Sequence, residues 1–228
     1  MDEKALVLGV GTNNIGAAVD NELQQFIESD PLFIHGEHNI PTIMEMYEGN
    51  YQHLVICCGF MKIERFDRFS TDDIYKVIKA NLTTPLLAIR NFLKAGPAPQ
   101  PGRASCVIVI GSYAHDHVLS NSVPYCAAKA GINHAIKCLA WDYTGAGYRF
   151  HCVNPHSVED TPMTQDVIKE IRATKNLTEG EALAYWNRTK VLPNRLTRDE
   201  VAKTVAWLIK GPTDHLSGTS IELYGGER

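Results

Sequence analysis

The stretch Ala5-Leu-Val-Leu-Gly9-Val-Gly11-Thr-Asn-Asn-Ile-Gly16 joins a short apolar run to a glycine-rich turn and then to an amphipathic segment. Ala5–Gly9 reads as a buried strand and Ile15–Ser29 as the helix that follows it. A strand, a tight turn and a helix start bring backbone N–H groups and the positive end of a helix to one point, an arrangement suited to phosphate. Gly9 and Gly11 relieve the turn, and Gly16 lets the helix lie close to the sheet. Thr12, Asn13 and Asn14 add polar groups where a pyrophosphate would lie, with Ile15 opening the helix. Taken alone, the turn also fits an S-adenosylmethionine site or a plain strand-to-helix corner.

The pattern repeats along the chain. His53–Cys58, Cys106–Ile110, Phe150–Val153 and Ser220–Leu223 read as strands, and Leu32–His35 as a weaker one. Thr71–Leu93, Pro124–Tyr143, Leu177–Thr189 and Asp199–Ile209 read as helices, and the proline-rich Gly96–Gly102 as a loop. Strands alternating with helices predict βαβ units, hence an α/β fold: a Rossmann-like, doubly wound parallel sheet with helices on both faces. No linker or repeat divides residues 1–228, so one domain is expected.

Composition narrows the function classes. The 228 residues are 44% hydrophobic and 21% charged, enough apolar material for a sizeable core. Net charge is −4, with 22 basic and 26 acidic residues and no basic tract. Neither nucleic acid nor an anionic membrane is therefore the expected partner. No apolar run approaches the ~20 residues that span a bilayer. Ala5–Val10 is too short for a signal peptide and lacks a basic lead-in, so a cytoplasmic setting is expected. The six cysteines (57, 58, 106, 126, 138 and 152) form no CxxC pair and read as buried reduced thiols, with no metal site.

Tyr125-Cys-Ala-Ala-Lys129 carries the chemistry. Tyr and Lys at i and i+4 share one helix face. A phenol is a poor base near neutrality, and a neighbouring ammonium favours its ionised form, which makes the pair a usable acid/base. Ser112 lies thirteen residues before Tyr125, at the end of the strand Cys106–Ile110, where a hydroxyl can hold a carbonyl or alkoxide oxygen.

The cofactor preference is read from charge. An acid after the second strand usually holds a free ribose, and Arg or Lys a 2′-phosphate. No Lys or Arg occurs between Lys4 and Lys62, and Glu37 falls about where the acid is needed. This favours NAD(H) and leaves NADP(H) open.

With these marks in place, the chain resembles the short-chain dehydrogenase/reductase family over nearly its whole length. The marks are the turn 9–16, Asn81 in Lys79-Ala-Asn-Leu82, Ser112, Tyr125, Lys129 and Asn154-Pro155. Thr161 with Met163, the stretch Asn194–Val201, and Leu216-Ser-Gly218 leading to Gly225-Gly226 also match. The resemblance implies an NAD(P)-dependent enzyme that interconverts a secondary alcohol and a carbonyl in a small molecule. Tyr125 would exchange the hydroxyl proton, Lys129 would assist it and hold the nicotinamide ribose, and Ser112 would steady the reacting oxygen. Asn81 would hold a water of the proton relay, Gly59 would wall the adenosine, and Pro155, Val158 and Thr161 would hold the carboxamide and phosphates.

The resemblance also implies a substrate-covering connection at 156–195. His117 and His156, with His115, Asn121 and Ser157 nearby, hint at a polar or anionic substrate, and Tyr185 and Trp186 are lid candidates. Packing of helices such as 71–93 and 124–143 across a two-fold implies a homodimer or homotetramer.

Three departures stand out. Gly9-Val10 and Asn14 replace the family's Thr-Gly and central glycine, Ile56-Cys-Cys-Gly59 replaces Asn-Asn-Ala-Gly, and His156 replaces the glycine after the proline. The odd turn suits an alternative reading, a non-catalytic dinucleotide-sensing or scaffold protein on the same fold. Such a module has no physical need of the set Asn81, Ser112, Tyr125 and Lys129. A methyltransferase leaves Tyr125 and Lys129 unexplained.

Overall fold

The computed structural model describes residues 3–32, 51–95, 98–99, 104–188, 191–192 and 196–226. Its strands are β1 (Lys4–Leu8), β2 (Glu28–Leu32), β3 (His53–Ile56), β4 (Ser105–Ile110), β5 (Tyr148–Pro155) and β6 (Ser220–Leu223). They form one six-stranded sheet in the order β2-β1-β3-β4-β5-β6, every pair parallel. Parallel strands need crossovers, and helices supply them on both faces. These are α1 (Ile15–Leu23), α2 (Thr71–Ile78), α3 (Thr84–Ala95), α4 (Val123–Tyr143), α5 (Pro162–Lys175), α6 (Glu179–Trp186) and α7 (Arg198–Lys210). The doubly wound reading holds.

Strand periodicity sorts the core into two layers. Ala5 and Val7 of β1 join Val55, Ile108 and Val153 beneath Val19 and Leu23 of α1 and Val201, Val205 and Leu208 of α7. Leu6 and Leu8 point the other way, with Leu54, Ile56, Val107 and Val109, against Ile89 and Phe92 of α3 and Ile132 and Ile136 of α4. A residue step of two along each strand returns to the same face, which is why one apolar run can feed both layers.

The chain reverses direction across the sheet at β1, since β2 and β3 flank it on opposite sides. Ligand crevices of such sheets open at this switch point, beyond the strand carboxyl ends. Gly9 sits there with φ +84°, and a Cβ on it would stand 2.5 Å from Cys58 N. A Cβ on Gly16 would stand 2.5 Å from Gly9 O and 3.0 Å from Val10 Cα. The two glycines are therefore what let β1, α1 and the end of β3 meet.

Several expectations are corrected. The helix expected over Ile15–Ser29 ends at Leu23, and a strand runs over Glu28–Leu32, while the rest of the strand expected over Leu32–His35 lies outside the described residues. Pro31 has no N–H to give a ladder, but β2 ends the sheet among the described residues, and an edge strand tolerates a proline. Ser29 Oγ also donates to Asp20 Oδ1 at 2.6 Å, which ties β2 to α1. The long helix expected over Thr71–Leu93 is α2 and α3 joined by a π-helical turn, Lys79–Thr83. The helix expected over Leu177–Thr189 shortens to α6, opened by a capping box between Thr178 and Glu181. Helix α5 was not expected, although Thr161 caps it, Pro162 begins it and Asn176 ends it at φ 51°.

Of the six cysteines, Cys106 and Cys152 are buried, Cys138 is exposed and the other three are half-buried, all as free thiols. The segment carrying Glu37, and most of the proline loop, lie outside the described residues. No described helix is long and apolar enough to cross a membrane.

Replacing Gly16 with Ala forces backbone apart at the α1–β1 contact. Overpacking of this kind costs about 1–3 kcal/mol, so thermal unfolding is expected to show a melting temperature lower by several degrees. An unchanged melting temperature would mean that α1 is not seated on the turn.

Candidate active site

Lys129 is the most informative side chain of the crevice. It lies on α4, only 4% exposed, and donates from Nζ to Ile110 O at the end of β4, 2.9 Å away. No carboxylate among the described residues pairs with it, although buried lysines are rare without a partner. Its Nζ stands 5.7 Å from the centre of the Tyr125 ring, one helical turn back along α4. Tyr125 is itself buried, packed with Val77 and Ala114.

Ser112 follows β4 in extended conformation, and its Oγ accepts from Ala114 N at 3.2 Å. Ser112, Tyr125 and Lys129 line one cavity of roughly 100 Å³ together with Gly59, Pro155 and Thr161. The fold thus brings the three residues of the sequence pattern to a single void.

Asn81 enters from the π-helical turn, a local widening that often marks functional sites. Its Nδ2 donates to Phe60 O at 2.6 Å and to Val77 O at 2.9 Å, while its buried Oδ1 has no partner among the described residues. That oxygen faces Gly59, whose Cβ, if present, would lie 3.0 Å from Asn81 Oδ1 and 3.8 Å from Lys129 Nζ. The glycine keeps open a polar cradle between Asn81 and Lys129.

The glycine turn is built differently from expectation. Asn14 does not offer its side chain to the crevice. It caps α1 instead: Oδ1 accepts from Ala17 N at 2.9 Å and Gly11 N at 3.1 Å, and Nδ2 donates to Gly9 O at 2.8 Å. One amide thus stitches the turn together and satisfies one of the orphan donors of the helix start. The N–H groups of Ile15 and Gly16 remain at the positive end of α1, with Ile15 on the cavity wall. Asn13 is exposed at φ 56°. Val158 and Thr161 line the cavity, and Thr161 also caps α5 and donates to Val158 O at 3.0 Å.

These features suit a dinucleotide. There are two N–H donors at a helix start, a Gly59 wall without a side chain, and a buried lysine and an unpaired amide oxygen in reach of one cradle. The thiols of the crevice take no part as nucleophiles. Burial pushes the Cys57 thiol up, and Cys58 up to about 11, so the two thiols that line the crevice stay protonated near neutrality. No cluster of metal-binding side chains occurs among the described residues.

Beyond Tyr113 and His156 a second cavity of roughly 100 Å³ adjoins the first, between Met61, Leu119, Ile171, Tyr185 and Trp186. Tyr185 and Trp186, the lid candidates, line this second cavity, and Trp186 lines the first as well. His156 tilts against Tyr113 at 4.4 Å between ring centres and lines both cavities. His117 stacks on Tyr113 at 5.0 Å but lines neither, so the two histidines differ in their access to a substrate.

Comparison with known proteins follows the same lines. A family profile described as "Enoyl-(Acyl carrier protein) reductase" matches residues 37–227, beginning beyond the glycine turn. The 3-oxoacyl-(acyl-carrier-protein) reductase FabG of Haemophilus influenzae is 25% identical over 226 residues, covering 97% of this chain and 87% of that one. The vibriobactin-specific 2,3-dihydro-2,3-dihydroxybenzoate dehydrogenase of Vibrio cholerae is 22% identical, covering 78% of this chain and 66%, just under two thirds, of the enzyme. Among solved structures, a single-substitution variant of actinorhodin polyketide ketoreductase with NADPH superposes with a TM-score of 0.88 at 21% identity, over 98% of this chain and 96% of that one. That last likeness is one of fold. The chain belongs to the short-chain dehydrogenase/reductase family, a family of NAD(P)-dependent oxidoreductases.

Proposed function

We propose that the chain reduces a small ketone, or oxidises the matching secondary alcohol, with Tyr125 as acid/base. The observation that carries this reading is the buried, carboxylate-free Lys129 beside Tyr125, in the cavity that Ser112 also lines. A packing role gives no reason to bury an ammonium there.

Ile15 and Gly16 N–H would hold the pyrophosphate, Gly59 would flank the adenosine, and Lys129 with Pro155, Val158 and Thr161 would hold the nicotinamide riboside. The nicotinamide, when bound, supplies or takes up the hydride. Ser112 Oγ donates to the substrate oxygen, and Tyr125 gives that oxygen its proton or removes it. Lys129 stabilises the negative charge that grows on the phenol oxygen as its proton leaves. The unpaired Oδ1 of Asn81 accepts from a water that returns a proton towards Lys129. The absence of Lys and Arg between Lys4 and Lys62 supports NAD(H) over NADP(H), and Glu37 would meet the free ribose.

Residues 156–195, containing α5 and α6, would cover an alcohol or ketone with an apolar body. That body would lie in the second cavity, and the lining His156 supports a polar group near the reacting carbon. His117, outside both cavities, is left to orient Tyr113. Exposed Tyr75, Leu86 and, 91% exposed, Trp141 on α2, α3 and α4 support a homodimer or homotetramer.

Tyr125→Phe is expected to lower kcat by roughly 10²–10⁴-fold for whichever ketone a carbonyl screen finds, with cofactor affinity nearly unchanged. Turnover at the wild-type rate would remove Tyr125 from the chemistry. Asn14→Asp keeps the two acceptor bonds of the cap but places a negative charge beside the pyrophosphate. The bond from Nδ2 to Gly9 O is lost, so the variant is expected to melt somewhat below the wild type and to bind NADH about tenfold more weakly. Wild-type affinity would show that the phosphates lie elsewhere.

A further inference from the structure

Behind Ser112 lies a closed ring of polar side chains that the reaction as described does not use. Ser112 N donates to Asn154 Oδ1 at 3.1 Å, and Asn154 Nδ2 donates to Asn133 Oδ1 at 3.1 Å and to Glu222 Oε1 at 3.3 Å. Asn133 Nδ2 lies 3.3 Å from His115 Nδ1, and His115 Nε2 lies 3.1 Å from Glu222 Oε1. Ser220 Oγ donates to Asn133 Oδ1 at 2.9 Å, and Cys152 Sγ lies 3.3 Å from Asn154 Oδ1. The members come from α4, β5, β6 and the turn after β4. Asn133 and Asn154 are buried, and the His115 side chain is 9% exposed. A Cβ on Gly111 would overlap Asn154 Oδ1, so the end of β4 rests directly on this amide.

Two groups of fixed polarity determine every hydrogen bond between them. A backbone N–H can only donate, so Asn154 must turn its oxygen to Ser112 and its NH₂ to Asn133. Asn133 must then accept through Oδ1 and offer its own NH₂ to His115. His115 Nδ1 is thereby an acceptor, which leaves the hydrogen on Nε2, aimed at a carboxylate that can only accept. Asp116 Oδ1, the other acid near His115 Nε2, is farther away at 3.7 Å.

We infer that Glu222 and His115 are positioning residues: they lock the two asparagine amides in one orientation and so fix Ser112 at the end of β4. The inference rests on the oxidoreductase reading for its consequence in catalysis. The ring itself is independent of that reading.

The test pairs Glu222→Gln with Glu222→Leu in the full chain, with three readouts: kcat against KM for the ketone found in the screen, NADH affinity, and nitrogen NMR of His115. Glutamine keeps an acceptor oxygen, so it is expected to retain wild-type kcat within about twofold. Leucine leaves the His115 N–H facing no near acceptor, and kcat is expected to fall roughly tenfold with KM and NADH affinity unchanged. In the wild type, His115 is expected to carry its hydrogen on Nε2 and none on Nδ1. A leucine variant with wild-type kcat, or one losing NADH affinity in step with kcat, would overturn the proposal. So would a hydrogen on His115 Nδ1 in the wild type. Should no ketone be turned over, the oxidoreductase reading fails, and the tautomer alone decides whether the ring exists as described.

Discussion

The ammonium of Lys129 on the carbonyl of Ile110 is the contact on which the site depends. A charged group with so little water needs fixed dipoles around it, and here the last carbonyl of β4 supplies one. The bond also sets the height of α4 against the sheet, and with it the place of Tyr125 one turn back. Close packing makes this possible. Gly131 of α4 faces Leu82 of the π-helical turn, where a Cβ would stand 3.3 Å from a leucine methyl. The helix that carries Tyr125 and Lys129 is thus held between the end of β4 and the element that carries Asn81.

The glycine turn answers a different constraint. Asn14 stands where the family resemblance implied a glycine, and here its side chain turns back on its own turn. It ties Gly9, Gly11 and Ala17 together, so the turn needs no ligand to order it. The arrangement uses up two donors, the N–H groups of Gly11 and Ala17, and leaves those of Ile15 and Gly16. An apparent defect of the motif is therefore a rigid version of the same corner, and it weakens the case for a scaffold that has lost its cofactor.

Much of this was legible from local pattern. The Tyr125/Lys129 pair follows from helical spacing, Ser112 from its place at the end of an apolar strand, and the two-layer core from alternation along the strands. Errors arose where tertiary contacts outweighed local preference. Strand β2 holds Pro31 because it lies at the sheet edge, and the π-helical turn at Asn81 hides inside a periodicity that reads as one helix. Helix α5 could have been found, since Thr161-Pro162 at its start and Val167, Ile168 and Ile171 along one face are helix signals. The ring joining Ser112 to Glu222 could not, because its members lie up to about a hundred residues apart and each looks like an ordinary polar residue in its own segment. Asn14 was visible, but the direction of its side chain was not.

The central claim is that the Lys129 cavity is the nicotinamide end of a working dinucleotide site. Titration of the purified chain with NADH and with NADPH, followed by nicotinamide fluorescence and repeated with Lys129→Met, tests it most directly. Saturable binding is expected, tighter for NADH, and roughly tenfold weaker in the lysine variant. Tighter NADPH binding would keep the enzyme and contradict the role given to Glu37. No binding of either nucleotide by the wild-type chain would contradict the account itself.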